Sequence, residues 1–208
     1  VTGRDDVPPH ADVTAPWEPA TPAEVAALFA DVDVPWWIAG GYAIELAVGR
    51  HVRDHSDIDV LLLRRDQLVA QRALAGWEWW AADPPGTLRP WAEGEVLPDD
   101  VHDIWCRPGP DRPWRVQLML DEASGDTWVS RRNPRVQRPV ASLGAVTDDG
   151  IPYLVPEIQL FYKAKQRRPK DEADFAAALP VLDAVRRAWL TDAISATYGD
   201  HLWLGALT

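Results

Sequence analysis

One cysteine, Cys106, is all that these 208 residues contain. No internal disulfide can form, and a cysteine-rich zinc site is excluded. There is no apolar run of the roughly 18 or more residues that a membrane-spanning helix needs. The opening sixteen residues are rich in Asp and Pro and lack the basic-then-apolar pattern of a signal peptide, so the cytoplasm is the expected compartment. Five histidines are scattered without the spacing of a metal-binding helix. Basic charge is scarce too: 21 Lys and Arg face 32 Asp and Glu, a formal net charge of −11. Binding a phosphate backbone normally takes a basic surface, so no nucleic-acid polymer is expected as a partner. An acidic surface attracts cations and suits a positively charged small molecule, although the same excess of acid also serves solubility. Internal repeats and low-complexity tracts are absent as well.

What is present is a globular composition. Hydrophobic residues make up 47% of the chain, enough for one sizeable core or for one domain with a small appendage. Twelve tryptophans are unusual. Core or lid packing is their ordinary use, and stacking on a ligand ring is the alternative.

Read in order, residues 1–20 form a polar, proline-rich lead-in expected to be poorly ordered. Thr21-Pro22-Ala23-Glu24 is a capping box with proline at the first helical position, opening a helix to about residue 30. Residues 36–39 form a buried strand. Gly40-Gly41 turns the chain into a helix over 42–48, stopped by Gly49. A polar loop leads to a second strand over 57–63. A helix over 66–75, a strand over 77–81 and an irregular insertion over 83–100 follow. A hairpin is expected from strands 101–107 and 114–121, with an extension at 128–131. Composition shifts near residue 145, and helices are expected over 157–166, 170–179 and 181–196. The resulting expectation is an α/β (α+β) fold in which residues 21–145 carry the sheet and residues 146–208 form a small helical C-terminal domain.

The chemistry concentrates at Gly40-Gly41 and Asp57-Ile58-Asp59. Residues i and i+2 of a strand share a face, about 6.5–7 Å apart, so Asp57 and Asp59 can reach one hard cation together. A diglycine lets backbone approach a phosphate, with the following helix N-terminus aimed at the anion. Mg²⁺ favours one or two carboxylates plus substrate phosphates, so this is a half-site for phosphoryl or nucleotidyl transfer. A third carboxylate usually completes such a site, as general base or metal ligand. In the strand 114–121, Gln117, Met119 and Asp121 share a face, and Asp121 is its only acid. Asp103 on the partner strand is the second candidate. Arg53 could contact phosphate and His55 could orient an aspartate or a phosphate oxygen; a surface-loop role is the alternative for each. Lys163 could reach a triphosphate across the cleft, and Lys170 with Asp174, at i and i+4, could simply pair.

The string Trp37-Ile38-Ala39-Gly40-Gly41-Tyr42-Ala43-Ile44-Glu45, with Gly49-Arg50, Arg53, His55 and Asp57-Ile58-Asp59-Val60, resembles the minimal nucleotidyltransferases of the polymerase-β-like superfamily. The most similar branch is that of the aminoglycoside 2″-adenylyltransferases and lincosamide nucleotidyltransferases. The resemblance covers about residues 36–63. It implies a mixed sheet flanked by helices, a helical second domain forming the other wall of the cleft, and Mg²⁺-dependent transfer of a nucleoside monophosphate, usually from ATP, to a hydroxyl. It further implies Gly40 and Gly41 as the phosphate turn and Asp57 and Asp59 as the metal pair. Lys163 with Lys170-Asp171 looks like the basic helix and Lys-Asp motif of such second domains. One departure stands out: relatives often carry Val-Asp where this chain has Val116-Gln117. The expected activity is nucleotidylation of a small hydroxylated acceptor, possible acceptors including aminoglycoside- or lincosamide-like antibiotics. A modifier of a protein or RNA partner and a nucleotide-binding module without catalysis are the alternatives.

Overall fold

The computed structural model describes residues 14–208. Helix α1 (Pro22–Leu28) begins at the Thr21–Glu24 capping box and buries Val25. Strand β1 (Trp36–Ala39) is buried throughout and runs directly into α2 (Gly40–Val48), which ends on the left-handed Gly49. Strand β2 (Asp59–Leu63) is followed by a 3-10 turn and α3 (Leu68–Ala73), a shorter helix than the 66–75 expected. Strands β3 (Glu78–Ala81), β4 (Arg89–Pro90), β5 (Asp103–Arg107), β6 (Val116–Ser124) and β7 (Thr127–Val129) come next. Three short strands follow: β8 (Gln137–Pro139), β9 (Gly144–Val146) and β10 (Pro152–Leu154). Helices α4 (Pro156–Lys163), α5 (Pro169–Ala178), α6 (Ala184–Tyr198) and α7 (Leu204–Leu207) complete the chain.

The strands form one mixed sheet of order β4-β3-β5-β6-β2-β1-β10-β9, with β7 and β8 continuing from the far end of β6. Strands β1 and β2 are antiparallel, with Ala39 opposite Asp59, whereas β2 and β6 are parallel. Period two then sorts the side chains. One face carries Ile38, Val60, Leu62, Val116 and Leu118 into a core closed by Val25 and Phe29. The opposite face carries Trp37, Ala39, Leu61 and Leu63 against Phe161, Leu190 and Ile194 of the C-terminal helices.

Two boundaries differ from expectation. Of the lead-in, residues 1–13 lie outside the described residues, but the part that follows is fastened to the sheet. Glu18 and Ala20 donate their amides to the carbonyls of Trp114 and Arg115 at 3.0 and 2.9 Å, and the Trp17 ring meets Trp105 edge-on. The sheet also runs past residue 145, because β10 joins β1 in parallel with Ile38 opposite Tyr153. Helices resume only at Pro156. Strands of three residues present too little alternation to stand out in a sequence.

Candidate active site

The antiparallel pairing of β1 with β2 brings the glycine turn and the carboxylates to one edge of the sheet. Gly40 has φ of +66°, and a Cβ there would sit 2.1 Å from Asp59 Oδ2. Only glycine lets the Asp59 carboxylate lie against this turn. A Cβ on Gly41 would meet Arg53 Nη2 and His55 Cε1, each at 2.3 Å. The diglycine therefore admits three side chains of the site as well as leaving its backbone open to a ligand. No side chain caps α2 among the described residues, so amides of its first turn remain available to an anion. The Gly40 amide is the exception: it donates to Gln159 Oε1 at 2.9 Å. Gln159, on α4, is a site-building residue that nothing in the local sequence announces.

Asp57 and Asp59 are both half-buried. The Asp59 carboxyl is pushed up to about 7, by burial first and then by the charges of Asp57 and Asp103; Lys163 and Lys170 act against this rise. Two hard oxygen donors that repel one another, in a partly desolvated setting, fit a divalent cation. Among the described residues no group of three or more His, Cys, Asp or Glu could hold a metal alone. An ion at this pair would complete its shell with phosphate and water, as Mg²⁺ does.

Arg53, His55 and Lys163 are fixed by ion pairs. Arg53 donates through Nε and Nη2 to the two carboxylate oxygens of Asp174, at 3.0 and 2.9 Å. Lys163 Nζ lies 2.8 Å from the same carboxylate and 3.5 Å from Asp171, and both acids are fully buried. One carboxylate on α5 thus gathers a cation from the loop before β2 and a cation from α4. The Lys170–Asp174 pair allowed by helical spacing is not among the ion pairs of the described residues, because Asp174 turns inward to these two partners. His55 Nε2 is 3.0 Å from Glu45, and the ring packs against Tyr42 at a tilt of 32° with centroids 4.1 Å apart. Burial is the main cause holding the imidazole below its ordinary pKa, helped by the Arg53 charge. Glu45 also accepts the amides of Val52 and Arg53 at 2.7 and 3.1 Å, which shapes the whole loop.

Asp121 is the predicted residue that the fold does not bring to this edge. Period two assigned it to the correct face, but register sets it at the wrong end. Asp59 is level with Gln117, while Asp121 is level with Leu63. Four residues of strand separate the two positions, about 13 Å. There Asp121 is buried, accepts hydrogen bonds from Trp128 Nε1 at 2.8 Å and from the Tyr162 hydroxyl, and faces Arg131. Burial raises its pKa, and those partners oppose the rise. This is a structural network tying β6 and β7 to α4. The residue beside Asp59 on β6 is Gln117, whose Nε2 donates to Asp103 Oδ1 at 3.1 Å.

The sequence matches the family model for aminoglycoside-2″-adenylyltransferase over residues 23–78, a little more than a quarter of the chain. That span contains the glycine turn and the carboxylate pair, in agreement with the resemblance read from those residues. No curated protein matches the chain. Among solved structures, the chain is similar to a solution structure of the antibiotic-resistance factor ANT(2″)-Ia, with 21% identity, 85% of this chain and 90% of that one covered, and a TM-score of 0.55. A crystal structure of ANT(2″)-Ia in complex with adenylyl-2″-tobramycin gives 17% identity, 84% and 95% coverage, and 0.53. The lincomycin-bound lincosamide antibiotic adenylyltransferase LnuA gives 15% identity, 77% and 95% coverage, and 0.53. The fold is the one these proteins share, a mixed sheet flanked by helices with a helical C-terminal region.

Proposed function

We propose that this chain is a nucleotidyltransferase that moves a nucleoside monophosphate, AMP from ATP, to a hydroxyl of a small cationic acceptor of the aminoglycoside or lincosamide kind. The observation that carries this reading is the contact of the Asp59 carboxylate with the Gly40 turn at the uncapped start of α2. A triphosphate bound at that turn has a carboxylate pair beside it and cations opposite.

Each residue then has a task. Asp57 and Asp59 hold Mg²⁺, which when bound neutralises phosphate charge as pyrophosphate leaves. Gly40 and Gly41 give the phosphates room, and the free amides of α2 hydrogen-bond to them. Lys163 and Arg53, kept in place by Asp174, supply positive charge toward the phosphates, and Lys170 adds to the field at Asp59. His55 and Glu45 shape the loop that positions Asp57. The small-molecule acceptor is supported by the net charge of −11 and by the antibiotics bound in two of the similar structures. The proposed use of ATP supports a cytoplasmic reaction.

The test is pyrophosphate release from ATP and Mg²⁺ with tobramycin, kanamycin and lincomycin as acceptors, together with calorimetry of ATP binding. Turnover should appear with at least one acceptor and vanish in Asp57→Ala and Asp59→Ala. Failure of the wild type to bind ATP refutes the reading. The presence of Gln117 level with Asp59 favours one other reading, a module that binds nucleotide without turning it over. Its signature is tight ATP binding with no pyrophosphate from any acceptor.

A further inference from the structure

An acceptor hydroxyl must lose its proton as it attacks phosphorus, and a carboxylate within reach is the usual recipient. The strand that flanks Asp59 offers an amide at that level instead, Gln117. Asp121, the one acid on the Gln117 face of β6 that is level with β2, is sealed at the far end with Trp128 and Tyr162.

The adjacent strand supplies what β6 lacks. Strand β5 pairs antiparallel with β6, with Asp103 opposite Met119 and Trp105 opposite Gln117. Opposed residues share a face, so Asp103 stands on the same face as Gln117 and Asp59. It is half-buried, at the first position of its strand, level with Met119 and so two residues further from the glycine turn than Gln117. Gln117 reaches diagonally across and donates its amide to Asp103 Oδ1 at 3.1 Å. No lysine, arginine or histidine forms an ion pair with Asp103 among the described residues, and its second oxygen stays available. The charge of Asp103 is felt at Asp59, as that of Asp57 is, which brings the three carboxylates into one neighbourhood.

We infer that Asp103 is the general base of this site and that Gln117 is its positioning residue, so that the proton acceptor has moved from β6 to β5. This rests on the nucleotidyltransferase reading above. The acceptor O–H proton passes to the Asp103 carboxylate, and the freed oxygen pair forms the new bond to the α-phosphorus of the nucleotide. The bond from that phosphorus to the oxygen bridging α and β breaks, and its electrons leave with pyrophosphate. Gln117, donating to one oxygen, holds the carboxylate plane so that the other faces the incoming hydroxyl. An amide serves here because it can donate; a second carboxylate at this position would repel Asp103 and Asp59 together.

The experiment compares wild type, Asp103→Asn, Gln117→Leu, the double variant and Asp57→Ala. Pyrophosphate release is measured with tobramycin, kanamycin, lincomycin or water as acceptor, and calorimetry measures binding of a non-hydrolysable ATP analogue with Mg²⁺. Asp103→Asn should lower kcat by about 10²–10⁴-fold, with analogue affinity within about twofold of wild type. Gln117→Leu should lower kcat with KM for ATP unchanged, and should add nothing in the Asp103→Asn background, a coupling that a merely structural role would not produce. Asp57→Ala, by contrast, should lose the analogue as well. Turnover by Asp103→Asn within threefold of wild type overturns the assignment and leaves the nucleotidyltransferase reading standing. Loss of analogue binding in Asp103→Asn overturns it in favour of a metal ligand. A wild type that binds the analogue yet releases no pyrophosphate, even to water, overturns it in favour of the binding module. A wild type that binds nothing removes both readings.

Discussion

Asp59→Asn should stabilise the metal-free protein, and only on the alkaline side. The carboxyl of Asp59 is raised from 3.8 to about 7, chiefly by burial and by the neighbouring charge of Asp57. A raised acid favours the fold fully below its unfolded value, and that advantage is lost as pH climbs through the folded value. The cost therefore builds between about pH 4 and 7 and stays constant above. At 1.36 kcal/mol per pH unit, a rise of about three units sets a ceiling of roughly 4 kcal/mol. Asp59 is only half-buried, and solvent screening brings the expected figure down to about 1–2 kcal/mol. For a chain of this size that is a gain of about 3–6 °C in Tm at pH 8. The measurement is thermal unfolding of wild type and Asp59→Asn in EDTA, at pH 8 and at pH 5. The gain should shrink by more than half at pH 5, where Asp59 is already protonated in the wild-type fold. Mg²⁺ added at pH 8 should raise the Tm of wild type and leave that of the variant unchanged. An Asp59→Asn protein no more stable than wild type at pH 8, or equally stabilised at both pH values, would refute the argument that burial and Asp57 destabilise this carboxylate.

Other consequences follow from the same contacts. Removal of the shared counterion by Asp174→Ala leaves Arg53 without its partner and Lys163 with only the more distant Asp171, and urea unfolding should show a loss of about 3–5 kcal/mol. Asp121→Asn should cost about 1–3 kcal/mol through its bonds to Trp128 and Tyr162, while ATP affinity in calorimetry stays at the wild-type level. Gly41→Ala drives a methyl into Arg53 and His55, and chemical denaturation should register a loss of about 1–3 kcal/mol together with weaker nucleotide binding. Binding of Mg²⁺ with nucleotide should weaken as pH falls below 7, because a proton on Asp59 competes with the cation, and Asp59→Asn should abolish that pH dependence.

How far each element could be read in advance tracks how local its cause is. Strand β1 matches its expected span residue for residue, since four buried apolar residues between Pro35 and Gly40 admit little else. Helix α1 begins where its capping box stands, and α2 ends where Gly49 does. The short strands β8 to β10 carried too few residues for a pattern, and β10 took its place in the sheet by pairing with β1, far away in sequence. The cations of the site illustrate the same limit. Arg53 was visible as a candidate, but its partner Asp174 lies 121 positions further on, where helical spacing pointed to Lys170 instead.

Asp57 and Asp59 stand out as candidates from the sequence alone, through their spacing and the nearby diglycine, and the antiparallel pairing of β1 with β2 then sets Asp59 against the Gly40 turn. The identity of the residue beside them does not stand out in the same way. Asp121 and Gln117 share a strand and a face, so periodicity cannot choose between them. The choice is made by the parallel register of β2 and β6, in which Asp59 meets Gln117, and by the neighbouring strand that delivers Asp103. Register is decided by how the apolar residues of both sheet faces pack against their helices, a sum over contacts distant in sequence, and for that reason only the tertiary structure could decide it.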